Sequence, residues 1–136
     1  MINIMYLQKI IIAFIIAIFL PTFSYAMNKT EILDIIHKCE IWASNNKKSI
    51  EYYDNNYQQH ITACQKHNIL TLLSRQYGNK TLIPNVVYGN FITIFDNQMY
   101  QSWKYDNKKI TKSEYSSQFK EFKSNLINII KIMESS

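Results

Sequence analysis

Apolar residues recur along residues 30–133 mostly at the three- and four-residue steps of an α-helix, and polar breaks divide them into four segments. The first segment carries Ile32, Ile35, Ile36, Cys39, Trp42 and Ala43, which lie along one helical stripe. Asn28 or Thr30 is placed to cap its start, and its end falls either in the polar tract 44–49 or at Asp54, Asn55 and Asn56. The second carries Tyr57, Ile61, Cys64, Ile69, Leu70, Leu72, Leu73 and Tyr77 and stops at Gly78. Glycine there takes the left-handed conformation that commonly ends a helix.

Residues 85–105 support two readings. Val86, Val87, Tyr88, Phe91, Ile92, Thr93, Ile94 and Phe95 are strand formers, and Gly89-Asn90 suits a two-residue turn. That gives an α+β alternative with a short antiparallel sheet at 86–105. Yet Val87, Tyr88, Phe91, Ile92, Phe95, Met99 and Trp103 form a helical stripe, with Asp96, Asn97 and Gln98 assigned to the opposite face. The chain is crowded with Ile, Asn, Lys, Tyr and Phe, the residues of A/T-rich codons, so periodicity outranks propensity and a helix is expected. Pro84 fits just ahead of it.

The fourth segment opens on Thr111-Lys112-Ser113-Glu114, a capping box in which the hydroxyl and the carboxylate each satisfy a backbone N–H of the first turn. Tyr115, Phe119, Phe122, Leu126, Ile129, Ile130 and Met133 then share one side of a helix. Residues 105–115 resemble the helix–turn–helix connection, ending in Ile-Thr-x-x-Glu-aromatic, of small bacterial helical modules, which implies a helix on both sides of the turn. The expected fold is all-α, a small bundle of four helices near 30–50, 55–77, 85–105 and 111–133.

Residues 1–26 follow another pattern. Lys9, an unbroken apolar run over 10–20, Pro21 and the small residues Ser24 and Ala26 read as a secretory signal peptide cleaved near Ala26. The run is shorter than the roughly 20 residues a membrane-spanning helix needs, so no stable span is expected after cleavage. What remains, 27–136, is the size of a single helical domain. Its expected location is the periplasm or the medium.

That compartment decides how Cys39 and Cys64 are read. Each lies on the apolar stripe of its helix, and the midpoint between them falls at residues 51 and 52, where a helical hairpin would turn. A structural disulfide Cys39–Cys64 follows, since exported thiols become oxidised. The competing chemistry is a metal site. His60, Cys64 and His67 step by four and three along one stripe, and Cys39 or His37 could complete a zinc or copper set. A nucleophilic Cys–His pair needs the same thiol free and lacks an oxyanion hole or a third orienting group. A proline ahead of strand, turn and last helix, as at 82–91, is also how a thioredoxin-like fold ends, but no Cys-x-x-Cys or first strand accompanies it.

The formal net charge is +5, and its lysines alternate with carboxylates, as in Lys112-Ser113-Glu114 and Lys120-Glu121. Such a pattern suits solvated helix faces and argues against a nucleic-acid partner. Asn28-Lys29-Thr30 and Asn79-Lys80-Thr81 match a glycosylation acceptor, at the frequency chance gives in so asparagine-rich a chain. Tyr52, Tyr53, Tyr57, Tyr100 and Tyr105 exceed what a small core can bury and suit a protein-binding face. The expected function is therefore that of an exported, non-enzymatic protein without a cofactor. It would bind another protein in the envelope or outside the cell, as immunity proteins, inhibitors and envelope-accessory subunits do. The alternative is zinc or copper binding through His60, Cys64 and His67.

Overall fold

The computed structural model describes residues 27–53 and 56–134, with helices α1 (Lys29–Asn45), α2 (Lys47–Tyr53), α3 (Tyr57–Tyr77), α4 (Asn85–Asp106) and α5 (Lys112–Glu134). A 3₁₀ turn, Lys80–Leu82, joins α3 to α4. The signal peptide expected over 1–26 lies outside the described residues. None of the described helices is long and apolar enough to cross a membrane.

Residues 85–106 form one unbroken helix, so the sheet at 86–105 is not formed, and no strand occurs among the described residues. Gly89 and Asn90 sit in its second turn, where Asn90 Nδ2 donates to the Val86 carbonyl at 2.8 Å. The first segment ends in both of the expected ways, since Asn46 interrupts it and α2 continues to Tyr53.

α1 packs on α3, α3 on α4, α4 on α5, and α5 returns to α1, so four long helices close a ring around one core. Each contributes buried side chains: Ile32 and Ile36, Ile69 and Leu73, Phe91 and Phe95, Leu126 and Ile130. Phe95 and Phe122 meet edge to face, centroids 5.6 Å apart, which fixes α4 against α5. α2 lies against α1 and α3, and Ala43, Ile50 and Ile61 form a smaller cluster there with Tyr57 packed on it. Met27 is buried in the main core, and its backbone N–H donates to Gln76 Oε1 at 2.9 Å.

The helix ends show how local sequence sets these boundaries. Asn28 Oδ1 accepts from the Glu31 N–H at 2.9 Å, and Gly78 takes φ 83° after α3. The capping box is formed: the Thr111 N–H donates to Glu114 Oε1 at 3.0 Å and the Glu114 N–H donates to Thr111 Oγ1 at 3.1 Å. These bonds hold the Glu114 carboxyl below its ordinary pKa. α3 is different, because Asn56 at its N-cap makes no side-chain capping bond. Asp106, at the far end of α4, supplies the cap instead. Its Oδ1 accepts from the Gln58 N–H at 3.0 Å, while Oδ2 accepts from the Gln59 N–H at 3.0 Å and from Gln59 Nε2 at 3.1 Å. A carboxylate at a helix N-terminus satisfies orphan donors and opposes the positive end of the dipole.

Cys39 and Cys64 are joined in a disulfide, with Cα atoms 5.8 Å apart and a sequence separation of 25. The bond pins the middle of α1 to the first half of α3. Closing a loop of that length removes unfolded-state entropy worth about 3–4 kcal/mol. Replacing both cysteines with alanine is therefore expected to lower the unfolding free energy by at least about 3 kcal/mol in guanidinium titrations. Thr111→Ala should cost about 1 kcal/mol by the same measurement.

Candidate functional site

The disulfide corrects the metal reading. Cys64 sulfur is bonded to Cys39 sulfur, so the thiolate that was to join His60 and His67 does not exist, nor does that of Cys39. His37 projects from the exposed side of α1, and His67 lies in a groove between α3 and α4 with Lys66, Lys80 and Tyr88. Among the described residues no three His, Cys, Asp or Glu side chains converge to hold a metal ion. A Cys–His nucleophile is removed by the same bond. The Asn68 amide instead covers the disulfide, donating to the Cys64 carbonyl at 2.8 Å and lying 3.5 Å from Cys64 Sγ and 3.7 Å from Cys39 Sγ.

The polar chemistry inside the bundle comes from residues that the apolar pattern passed over. Gln98 and Ser102, not Trp103, continue the buried face of Phe91 and Phe95, and all four are fully buried. On α3, Thr62 and Gln65 are buried as well. Counting donors gives the side-chain hydrogen bonds one direction. Thr62 Oγ1 donates to the Gln58 carbonyl at 3.1 Å, so the Ser102 hydroxyl must donate to Thr62 at 2.6 Å and the Tyr115 phenol to Ser102 at 2.9 Å. Gln98 Nε2 starts the chain by donating to the Tyr115 oxygen at 3.3 Å. Gln65 Nε2 reaches α1, donating to the Ile36 carbonyl at 3.3 Å. These bonds tie all four long helices through polar contacts in a low-dielectric interior, where they are strong when complete. Burial pushes the Tyr115 phenol above its ordinary pKa.

Outward from this network, the α4–α5 corner gathers aromatic rings and lysines. Tyr100 and Trp103 are 55 % and 39 % exposed, and their rings stack with centroids 6.1 Å apart. Lys104 Nζ lies 4.7 Å from the Tyr100 centroid and Lys109 Nζ 5.9 Å from that of Trp103. Lys108 turns the chain with φ 58°, a left-handed backbone that glycine or asparagine adopts at less cost. Six of the fifteen Lys and Arg residues fall within residues 104–123. Of the three acids there, Asp106 is engaged by α3 and Glu114 by Thr111, which leaves Glu121 against six lysines, so the corner presents mainly positive charge.

Beside the corner, a cleft of about 390 Å³ opens among α1, α3, α4 and α5. Tyr105, Tyr115 and Phe119 line it, with the Tyr105 and Tyr115 rings stacked at 4.8 Å. Lys112, Lys120 and Lys123 stand along its α5 side and Glu40 on its α1 side. A second groove, of about 460 Å³, follows the disulfide between α1 and α3, with exposed Trp42 and Arg75 among its lining.

Of the tyrosines expected at a binding face, Tyr100 is exposed and Tyr105 half-buried against Tyr115, whereas Tyr57 packs on the small cluster. The side chains of Tyr52 and Tyr53 lie outside the described residues. Comparison with protein-family models, curated proteins and solved structures returned no match.

The raised pKa of Tyr115 gives a pH dependence. Below the unfolded-chain value near 10 the phenol is protonated in both states and its contribution is complete. Above it the unfolded chain releases the proton first, so stability falls as pH rises toward the folded-state value. Tyr115→Phe is expected to flatten this alkaline decline in denaturation curves taken from neutrality to above pH 10. The same variant should be less stable at neutral pH by about 1–3 kcal/mol, because Ser102 and Gln98 lose their buried partner.

Proposed function

We propose that the protein is exported and acts as a non-enzymatic binder of another protein in the envelope or outside the cell, with the α4–α5 corner as its contact face. The observation that carries this reading is the stacked Tyr100–Trp103 pair, held at the surface and edged by Lys104 and Lys109. Tyrosine and tryptophan are enriched among the few residues that dominate binding at protein interfaces, because they present large area with little rotamer entropy to lose. Here the stacking and the lysine contacts restrict the two rings further before any partner arrives.

The export reading draws on the leader over 1–26 and on the disulfide, a bond that persists in oxidising compartments.

Two measurements test the proposal. The mass of the protein recovered from the native envelope or medium should match a chain starting at Met27, whereas a cytosolic chain retaining Met1 would overturn export. Affinity capture from the native envelope fraction should yield one stoichiometric protein partner. Its affinity should fall at least about tenfold for the folded Tyr100→Ala/Trp103→Ala variant.

A further inference from the structure

We propose that the cleft beside the α4–α5 corner is a binding site for a small aromatic carboxylate, distinct from the Tyr100–Trp103 face and independent of the partner-binding reading. Its volume of about 390 Å³ lies in the size range of small-molecule sites, about 300–1,000 Å³. The lining divides into two chemistries. Tyr105, Tyr115 and Phe119 form a stacked aromatic wall, with centroids 4.8 Å apart for the first pair and 6.5 Å for the second.

This wall is already rigid. The Tyr115 hydroxyl is bonded to Ser102 and Gln98, and Phe119 lies 5.8 Å from the buried Phe122 ring. A planar ring entering the cleft therefore meets aromatic surface whose ordering cost is met by the fold.

The charge of the ligand follows from the rim. Lys112, Lys120 and Lys123 stand on one side of the cleft, and none forms an ion pair with a carboxylate among the described residues. Lys123 Nζ is held 5.1 Å from the Phe119 centroid, directly over the aromatic wall. Glu40 is the one acid that lines the opposite side. Three ammonium groups against one carboxylate favour an anion, and their place at the edge of an aromatic wall favours an anion carried on a ring. Other grooves combine these features less fully: the α3–α4 groove has cations but Tyr88 as its one aromatic residue, the groove along the disulfide contains Asp34 already paired with Lys38 at 2.9 Å, and a groove of about 420 Å³ beside α2 sets Glu51 and Asp106 against Lys47 and Lys108.

The test is a titration of the isotope-labelled mature protein with 1-naphthylacetate and, separately, with its uncharged amide, followed by NMR. The carboxylate should saturate a single site, with shifts centred on Tyr105, Tyr115, Phe119 and Lys120. The amide should bind about tenfold more weakly, because it lacks the charge that the lysines recognise. Lys120→Glu/Lys123→Glu, checked for an unchanged melting temperature, should lose carboxylate binding to the same degree, and Tyr100→Ala/Trp103→Ala should retain it. Absence of saturable shifts, shifts spread over the surface, or equal binding of acid and amide would each overturn the proposal. None of these results bears on capture of a protein partner at the neighbouring face, so the two readings fail separately.

Discussion

The covalent tie between Cys39 and Cys64 is the constraint on which the remaining packing depends. It sets which turn of α1 faces which turn of α3, and Gln65, one residue beyond Cys64, can then donate to the Ile36 carbonyl, one turn before Cys39. α3 in turn carries Thr62, whose bond with Ser102 sets the register of α4. α4 is joined to α5 through Ser102 and Tyr115 and through the crossed rings of Phe95 and Phe122. Register thus passes from a covalent bond to hydrogen bonds and then to aromatic packing. A polar interior of this kind lowers the number of ways in which helices of similar apolar content can slide past one another.

Much of this architecture was legible in the chain because the relevant signals are local. Thr111 and Glu114 announce their helix start by chemistry confined to one turn, and Gly78 announces an end in the same way. The disulfide was legible because two cysteines on separate stripes, with a plausible turn between them, leave little else for them to do in an oxidising environment. α4 could be read only from periodicity, since its residues taken singly favour a strand.

What stayed hidden depends on partners distant in sequence. Gln98 was assigned to the outer face because it is polar, although it stands three residues after Phe95 and Ser102 seven, both helical positions of the buried side. Its side-chain N–H finds an acceptor only in Tyr115 on another helix. Asp106 has the composition of a turn residue, and nothing near it reveals that it serves the start of α3. The basic and aromatic corner was likewise obscured, because Lys112 and Lys120 alternate with Glu114 and Glu121. Knowing that Asp106 and Glu114 are engaged in capping is what exposes the excess of positive charge.

The capping of α3 by Asp106 also makes two distant helix ends share one fate. If the last turn of α4 unwinds, the carboxylate withdraws and the Gln58 and Gln59 amides at the start of α3 lose their acceptors at the same moment. These ends should therefore open as one cooperative unit in amide hydrogen exchange, although 47 residues separate Gln59 from Asp106 along the chain. A ligand or partner that clamps the α4–α5 corner would thereby slow local unfolding on the far side of the connecting loops, next to α2.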